Sequence, residues 1–472
     1  MLIGRETEKQ RLLQATLEED SMFVALYGRR RVGKTYLVRE TFNNKFTFYH
    51  TGLAKSSMKK QLAAWRLSLR EYGLKKAPLP TSWLDAFEAL KEIVVMSDES
   101  KKLVFIDELP WLDTQRSGFV SALERFWNGW ASARKDVVLI VCGSATSWII
   151  KKILKNKGGL HNRVNTKIHL HPFTLNECER YARHRKLVMT RRQLMECYMI
   201  MGGIPYYWSK LERGLSLAQN IDNLFFNPDG ELYDEFDALY ASLFKNPQPY
   251  LTVVQTLGTK RVGLTREELI EQAGLEDNGR LSEILKDLEA CGFIRRYTNF
   301  GFNTKNAIFQ LIDSYTLFYY DFIAGNTSAD SSFWSRQTGS PLYFNWCGHA
   351  FERVCLLHVD QIRKALSIFG TVSRICSWYL PKTADKNGAQ IDLIIDRDDS
   401  VIDICEMKYT KQPYEMKYEE EVRIQNRRDR FIAEIGTDKA VQLILVSASG
   451  VKRNAYSDEF HAIITADALF EK

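Results

Sequence analysis

The chain has 472 residues, 45% of them hydrophobic and 26% charged, a composition ordinary for a soluble globular protein. That length exceeds what one hydrophobic core organises and predicts about two to four domains. The net charge of +7, from 65 basic and 58 acidic residues, permits a nucleic-acid partner without requiring one. No apolar run reaches the roughly 18 residues that span a bilayer, so a membrane is not expected among its partners. The opening MLIGRETEKQ has neither the basic nor the apolar region of a signal peptide, and the eight cysteines form no CxxC pair. A cytoplasmic protein with reduced, packed thiols is the expectation.

The first predicted elements are a strand, a glycine loop and a helix. Met22–Tyr27 is apolar, Gly28-Arg29-Arg30-Arg31-Val32-Gly33-Lys34-Thr35 fits GxxxxGK[ST], and a helix carrying Tyr36, Leu37 and Val38 follows. Gly28 and Gly33 let backbone N–H groups face phosphates, and the helix N-terminus adds its positive end. Lys34 reaches the β- and γ-phosphates of ATP, and the Thr35 hydroxyl is a ligand for Mg²⁺. The run Leu103–Ile106 is a second buried strand, ending in Asp107 and Glu108. Asp107 would orient Mg²⁺, and Glu108 would polarise the attacking water. A third strand, Val137–Cys142, ends in Gly143-Ser144, where Ser144 can sense the γ-phosphate. All three sites fall at carboxyl ends of parallel strands, where open α/β sheets bind ligands.

With IGRETEKQRL upstream (Ile3–Leu12), these residues resemble the AAA+-related archaeal-type ATPases, relatives of the STAND signalling ATPases. The resemblance implies that Gly4-Arg5-Glu6 packs near the adenine. It extends over Gly158–Glu177, where Arg163 is either an arginine finger or sensor, in cis or in trans, or a surface arginine beside Lys157 and Lys167. Met201–Trp208, MGGIPYYW, is similar to the Gly-x-Pro turn of the helical lid in these ATPases; Gly202, Gly203 and Pro205 would break a helix sharply.

From about Asn246 the pattern changes to helix, turn, helix and hairpin, a winged helix. Thr265 with Glu268 forms a capping-box pattern, and Leu281, Ile284, Leu285 and Leu288 share a face of the next helix. That second helix carries Arg280 and Lys286 but also Glu283, Asp287 and Glu289, which would repel phosphates. Either the module docks domains, or Arg295, Arg296 and Lys305 on the wing contact DNA. The aromatic stretch DSYTLFYYDFI reads as core or docking surface, and a polar linker follows near Gly325–Ser335.

The last predicted segment runs α-β-β-β-α-β. A helix from about Cys347 carries Glu352 near its start, a strand covers Val372–Tyr379, and a hairpin pairs Ile391–Ile395 with Val401–Cys405. A charged helix, Glu415–Ile435, and a strand, Ala440–Ser447, complete it. Asp392 opens the first hairpin strand, while Glu406 and Lys408 close the second. Antiparallel pairing puts Asp392 beside Glu406, and alternation puts Glu406 and Lys408 on one face with Met407 on the other. Cys347, His349, Cys355 and His358 match no zinc spacing and read as helical packing.

This order, with Asp392, Glu406 and Lys408, resembles the PD-(D/E)xK nuclease superfamily, and specifically the nuclease-like domain appended to archaeal-type ATPases. Ile391 replaces the motif's proline. The resemblance implies a metal site of Glu352, Asp392 and Glu406 holding Mg²⁺ or Mn²⁺, with Lys408 positioning water and stabilising phosphate charge; an ordinary salt-bridged cluster is the competing reading. Arg423, Arg427 and Arg430 share a helical face that either grips a DNA backbone or, as in Glu419 with Arg423, forms i,i+4 pairs.

The expected fold is multidomain α/β: a P-loop NTPase parallel sheet (1–170), a helical lid (171–244), a winged helix (245–325) and an αβββαβ nuclease-like domain (336–472). The expected function is ATP hydrolysis controlling DNA access to a metal-dependent endonuclease-like site, alone or with a homo-oligomeric or protein partner. The alternative is a STAND-like switch or remodeller whose nuclease-like domain only binds DNA or protein.

Overall fold

The computed structural model describes residues 2–156, 158–244, 246–301, 307–326, 330–380 and 388–472. Lys157, Lys305 and part of the 325–335 linker, all invoked from sequence, lie outside the described residues. The chain divides into two compact units, Met1–Pro172 and Phe173–Lys472. Among the described residues no helix is long and apolar enough to cross a membrane.

The first unit is built on a five-stranded, all-parallel sheet. Its strands are β1 (Met22–Tyr27), β2 (Phe48–Thr51), β3 (Lys102–Asp107), β4 (Val137–Gly143) and β5 (Thr166–His169), in the order β2-β3-β4-β1-β5. Every residue of β4 is buried, which is why it reads as a continuous apolar run rather than an alternating one. Helices α1 (Glu6–Leu17), α2 (Lys34–Thr41), α3 (Met58–Glu71), α4 (Trp83–Met96), α5 (Phe119–Gly129) and the single turn α6 (Thr146–Ile149) complete the unit. An aromatic core fixes α3 and α4: the Trp65 and Trp83 rings meet edge to face at 5.4 Å, and Trp83 meets Phe119 at 4.8 Å. Ser82 and Asp85 form a reciprocal capping box that starts α4.

The second unit opens with α7 (Leu175–His184) and α8 (Arg191–Met201), each started by a threonine capping box. The expected glycine turn follows. Gly202 has φ +59°, and a Cβ on Gly203 would stand 1.9 Å from the Phe173 carbonyl oxygen, so the close backbone approach there admits only glycine. Helices α9 (Pro205–Trp208), α10 (Leu217–Ile221) and α11 (Glu235–Leu243) come next.

In the middle segment α12 (Gln248–Gly258), α13 (Arg266–Ala273) and α14 (Gly279–Ala290) accompany a small antiparallel sheet, β6-β8-β7, of β6 (Leu264–Thr265), β7 (Ile294–Thr298) and β8 (Ala307–Leu311). Thr265 and Glu268 make the capping box anticipated from their spacing. Asp287, one of the acids on α14, accepts a hydrogen bond from the Tyr250 hydroxyl at 2.8 Å.

Helices α15 (Ser314–Phe318), α16 (Phe333–Gln337), α17 (Pro341–Leu357) and α18 (Val359–Ala365) lead into the last sheet. The aromatic stretch is core: Phe318 and Phe322 pack edge to face on Trp334 and Trp346. The last sheet is mixed, in the order β13-β12-β11-β10-β9, from β9 (Ser373–Leu380), β10 (Ala389–Arg397), β11 (Val401–Lys408), β12 (Ala440–Ser447) and β13 (Ala462–Thr465). Strand β10 runs antiparallel to β9 and β11, whereas β11, β12 and β13 are mutually parallel. Helix α19 (Tyr418–Ile435) covers the sheet with Ile424 and Phe431, which join Trp378, Ile394 and Leu443 in one core.

The middle segment is stitched to this sheet. The Asn299 amide group exchanges two hydrogen bonds with the backbone of Tyr379, at 2.7 and 2.8 Å, and Phe300 N–H donates to the Ser377 carbonyl. None of the eight cysteines forms a disulfide, and all but Cys376 are buried.

Candidate functional site

At the carboxyl ends of β1, β3 and β4 five side chains converge. Gly28 has φ +148°, and a Cβ there would strike the Leu170 carbonyl oxygen at 2.2 Å; Gly33, at φ +91°, turns the chain into α2. Lys34, the first residue of α2, donates to the carbonyls of Gly28 (2.9 Å) and Arg29 (2.8 Å) and to Ser144 Oγ (3.1 Å). Thr35 Oγ1 donates to Asp107 Oδ2 at 2.7 Å. Ser144 Oγ donates in turn to Glu108 Oε1 at 2.6 Å, and its backbone N–H approaches Glu108 Oε2 at 3.3 Å. Glu108 has φ 47°, a left-handed conformation unusual outside glycine that turns its carboxylate toward β4.

Gly28, Gly33, Lys34, Thr35, Asp107, Glu108 and Ser144 are thus gathered at one end of the sheet. Arg163 is not among them. It stands exposed in the turn before β5, and its side chain shares no hydrogen bond or ion pair with the group among the described residues. Thr35 and Asp107 offer the hard oxygen donors that suit Mg²⁺. Arg5 is buried and donates to the His171 carbonyl at 2.6 Å, tying the Gly4-Arg5 segment to the chain just after β5. The His169 ring stacks on Tyr27 at 4.8 Å, and burial, helped by His171 and Lys34, pushes its pKa down to about 4. Sequence reasoning missed this aromatic pair because β5 is only four residues long.

Residues 2–211 match the model of a family described as an ATPase domain predominantly from Archaea. This segment is a P-loop ATPase domain. It ends inside the second unit, so α7, α8 and α9 belong to the ATPase match yet fold with the carboxyl-terminal residues. The chain is 24% identical over 403 residues to "Uncharacterized protein MJECL04" of Methanocaldococcus jannaschii, covering 84% of each protein. Among solved structures it is similar to the Walker-type ATPase PABY2304 of Pyrococcus abyssi, at 16% identity and a TM-score of 0.48, over 67% of this chain and 95% of that one. It is also similar to the ORC2 protein of Aeropyrum pernix, at 15% identity and a TM-score of 0.42, over 66% of this chain and 91% of that one.

Beyond the ATPase domain, a cavity of about 750 Å³ opens beside the β10–β11 hairpin. The ladder pairs Leu393 with Cys405, so Asp392 and Glu406 are the next opposed residues, and both line the cavity with Lys408 and Glu352. Glu406 is doubly engaged: Oε1 pairs with Lys408 Nζ and Oε2 with Arg427 Nη1, each at 2.8 Å. Burial pushes its carboxyl up, but Lys408 and Arg427 outweigh that and hold it below its ordinary value. Asp392 goes the other way. Burial, then the neighbouring Glu352, raises it to about 6, against a lowering hydrogen bond from Gln390. Its backbone carbonyl accepts from Ser377 Oγ at 2.6 Å.

The structure alters four sequence expectations here. Glu352 was expected near the start of its helix, but α17 begins at Pro341, capped by Ser340, which places Glu352 in the carboxyl-terminal half. Arg423 pairs with Glu420 at 3.6 Å rather than with Glu419. Arg427 does not hang free on the face it shares with Arg423 and Arg430; it is the counter-ion of Glu406. Arg295 points inward, donating to Gln310 Oε1 (2.5 Å) and Ser377 Oγ (3.0 Å), and burial lowers its pKa to about 10. Of the wing residues described, Arg296 is exposed.

No set of three or more His, Cys, Asp or Glu side chains among the described residues is gathered closely enough, as placed, to hold a metal ion. That covers Cys347, His349, Cys355 and His358. His358 is instead buried between the Val354 carbonyl (2.8 Å) and the Leu175 N–H (3.0 Å). Asp392 and Glu406 remain a pair of opposed oxygen donors, of the hard kind that suits a divalent cation. Sequence reasoning missed Arg353, a fully buried guanidinium beside Glu352 that donates to the Arg261 carbonyl at 2.9 Å. An arginine in the apolar stripe of α17 was its only signal.

Proposed function

We propose that the chain couples ATP hydrolysis to a metal-dependent DNA nuclease site, with the nucleotide state controlling DNA access. In this reading 1–170 is the ATPase core, 171–244 its lid, 245–325 a winged helix used for docking and 336–472 the nuclease-like domain. In the ATPase, Lys34 and the Gly28–Gly33 loop bind the phosphates, Thr35 and Asp107 hold Mg²⁺, Ser144 senses the γ-phosphate, and Glu108 polarises water. Arg163 serves as a finger or sensor only from a neighbouring copy or after a rearrangement.

The observation that carries the nuclease reading is the opposition of Asp392 and Glu406 across one hairpin, with Lys408 on the Glu406 carboxylate, in a cavity lined by Arg423, Arg427 and Arg430. Asp392, Glu406 and Glu352 would hold Mg²⁺ or Mn²⁺, which when bound polarises the phosphate and lowers the pKa of water. Lys408 orients the attacking water, and the three arginines bind the strand backbone.

One observation favours the rival, a STAND-like switch or remodeller whose nuclease-like domain only binds DNA or protein. Both oxygens of Glu406 are satisfied by cations of the chain itself. The two readings part on a Mn²⁺ titration followed by incubation with linear, nicked and branched DNA. Cleavage that disappears in Lys408→Ala and Asp392→Asn supports the nuclease; saturable DNA or partner binding with no cleavage under any of these conditions selects the switch.

A further inference from the structure

Helix α8 lies within the ATPase match, yet its polar face grips the segment that follows Lys408. Lys408 is the last residue of β11, and Tyr409, Thr410 and Lys411 leave the sheet directly after it. A strand end of this kind frays unless something holds it. Here the Tyr409 hydroxyl donates to Glu196 Oε1 at 2.6 Å. Arg192, one turn earlier, pairs with the same carboxylate at 3.2 Å and lies 4.9 Å from the centre of the Tyr409 ring. One nitrogen of that guanidinium also donates to the carbonyls of Thr410 (3.1 Å) and Lys411 (3.2 Å) and to Ser449 Oγ (3.0 Å). Two side chains of α8 therefore engage the three residues that follow Lys408.

These bonds are not what seats α8. Its other face buries Leu194, Met195, Tyr198, Met199 and Met201, and Arg191 separately ties Glu179 of α7 to Asp467 near the chain's end. The Arg192–Glu196 pair therefore serves the strand end rather than the helix. The planar, fixed fork of arginine suits that task, since it meets several acceptors without needing to reorder.

We propose that Arg192 and Glu196 are positioning residues for the carboxyl-terminal site. Through Tyr409 they fix the end of β11, and with it Lys408, to the ATPase segment, so that nucleotide-dependent displacement of α8 is felt at Lys408. The proposal rests on the reading of Asp392, Glu406 and Lys408 as a nuclease site, but the link itself is testable without cleavage. Only a change carried by α8 needs to reach β11.

The test is amide hydrogen exchange of the 401–412 peptide in the full chain, with and without ATP and Mg²⁺. It compares the natural protein with Glu196→Ala, and with Glu196→Gln, which keeps an acceptor for the Tyr409 hydroxyl. ATP is expected to change exchange in this peptide in the natural protein and in Glu196→Gln, and to leave it unchanged in Glu196→Ala. In a parallel Mn²⁺-dependent cleavage assay, Glu196→Ala is expected to lower kcat by on the order of tenfold with KM for DNA unchanged, and Glu196→Gln to restore it. Exchange that ignores ATP in the natural protein, or that responds equally in Glu196→Ala, overturns the proposal. The predicted exchange pattern without any strand cleavage supports the link and removes the nuclease reading instead.

Discussion

Ser144 is the residue on which the resting ATPase site turns. Its hydroxyl accepts from Lys34 and donates to Glu108, so the Lys34 ammonium and the Glu108 carboxylate share one small side chain. In the proposed function, an incoming γ-phosphate would compete for both Lys34 and Ser144 and so leave Glu108 to a water. Lys34→Ala removes the ammonium that now spans the mouth of the loop, and is expected to weaken ATP binding by about 2–3 kcal/mol, read by calorimetric titration. Glu108→Gln keeps the shape and the Ser144 bond but not the charge. Phosphate release is expected to fall on the order of 100-fold in that variant while ATP still binds, as a rate assay beside a binding titration would show. These residues were legible because the chemistry is local: a glycine loop and two strand tips, each within a few residues of its motif. Arg427 on Glu406 was not legible, since α19 and β11 approach only in three dimensions, and a helical row of arginines reads equally well as a DNA-facing surface.

At the scale of elements, α7 illustrates how a helix end can depend on a distant side chain. Thr174 and Glu177 cap it reciprocally, but the Leu175 N–H is satisfied by His358 Nε2, which must be unprotonated to accept. Burial lowers His358 to about 4, against a raising hydrogen bond to the Val354 carbonyl. A histidine depressed in the fold stays neutral while the unfolded chain takes up a proton, so its contribution is full above about pH 6.5 and is lost as pH falls toward 4. Lowering pH from 7 to 5 is expected to destabilise the second unit through this group by roughly 2 kcal/mol, and His358→Gln to flatten that dependence, as denaturant melts at the two pH values would reveal. Continuous apolar runs and a clear helical period were read correctly from sequence: β1, β3, β4, β12 and the apolar face of α14 all fall where their patterns put them. The four-residue strands β2 and β5 were missed because a run that short carries no period. The start of α17 was missed because Pro341 was not recognised as a first-turn residue behind a serine cap.

At the scale of the molecule, the ATPase match and the division into compact units do not share a boundary. The match runs to residue 211, while the first unit closes at Pro172. The intervening helices are bonded into the carboxyl-terminal body by Arg191, Arg192, Glu196 and the Leu175 N–H. A sequence pattern could mark the glycine turn after α8 but not the partners of that helix, which lie more than two hundred residues away. The architecture makes a specific demand: if nucleotide state controls the hairpin site, cleavage must depend on Lys34, a residue of the first unit. The decisive measurement is the rate of Mn²⁺-dependent DNA cleavage by the natural protein and by Lys34→Ala, each with and without ATP. ATP is expected to change the rate severalfold in the natural protein and to have no effect in Lys34→Ala. Equal cleavage by both proteins with and without ATP would contradict it.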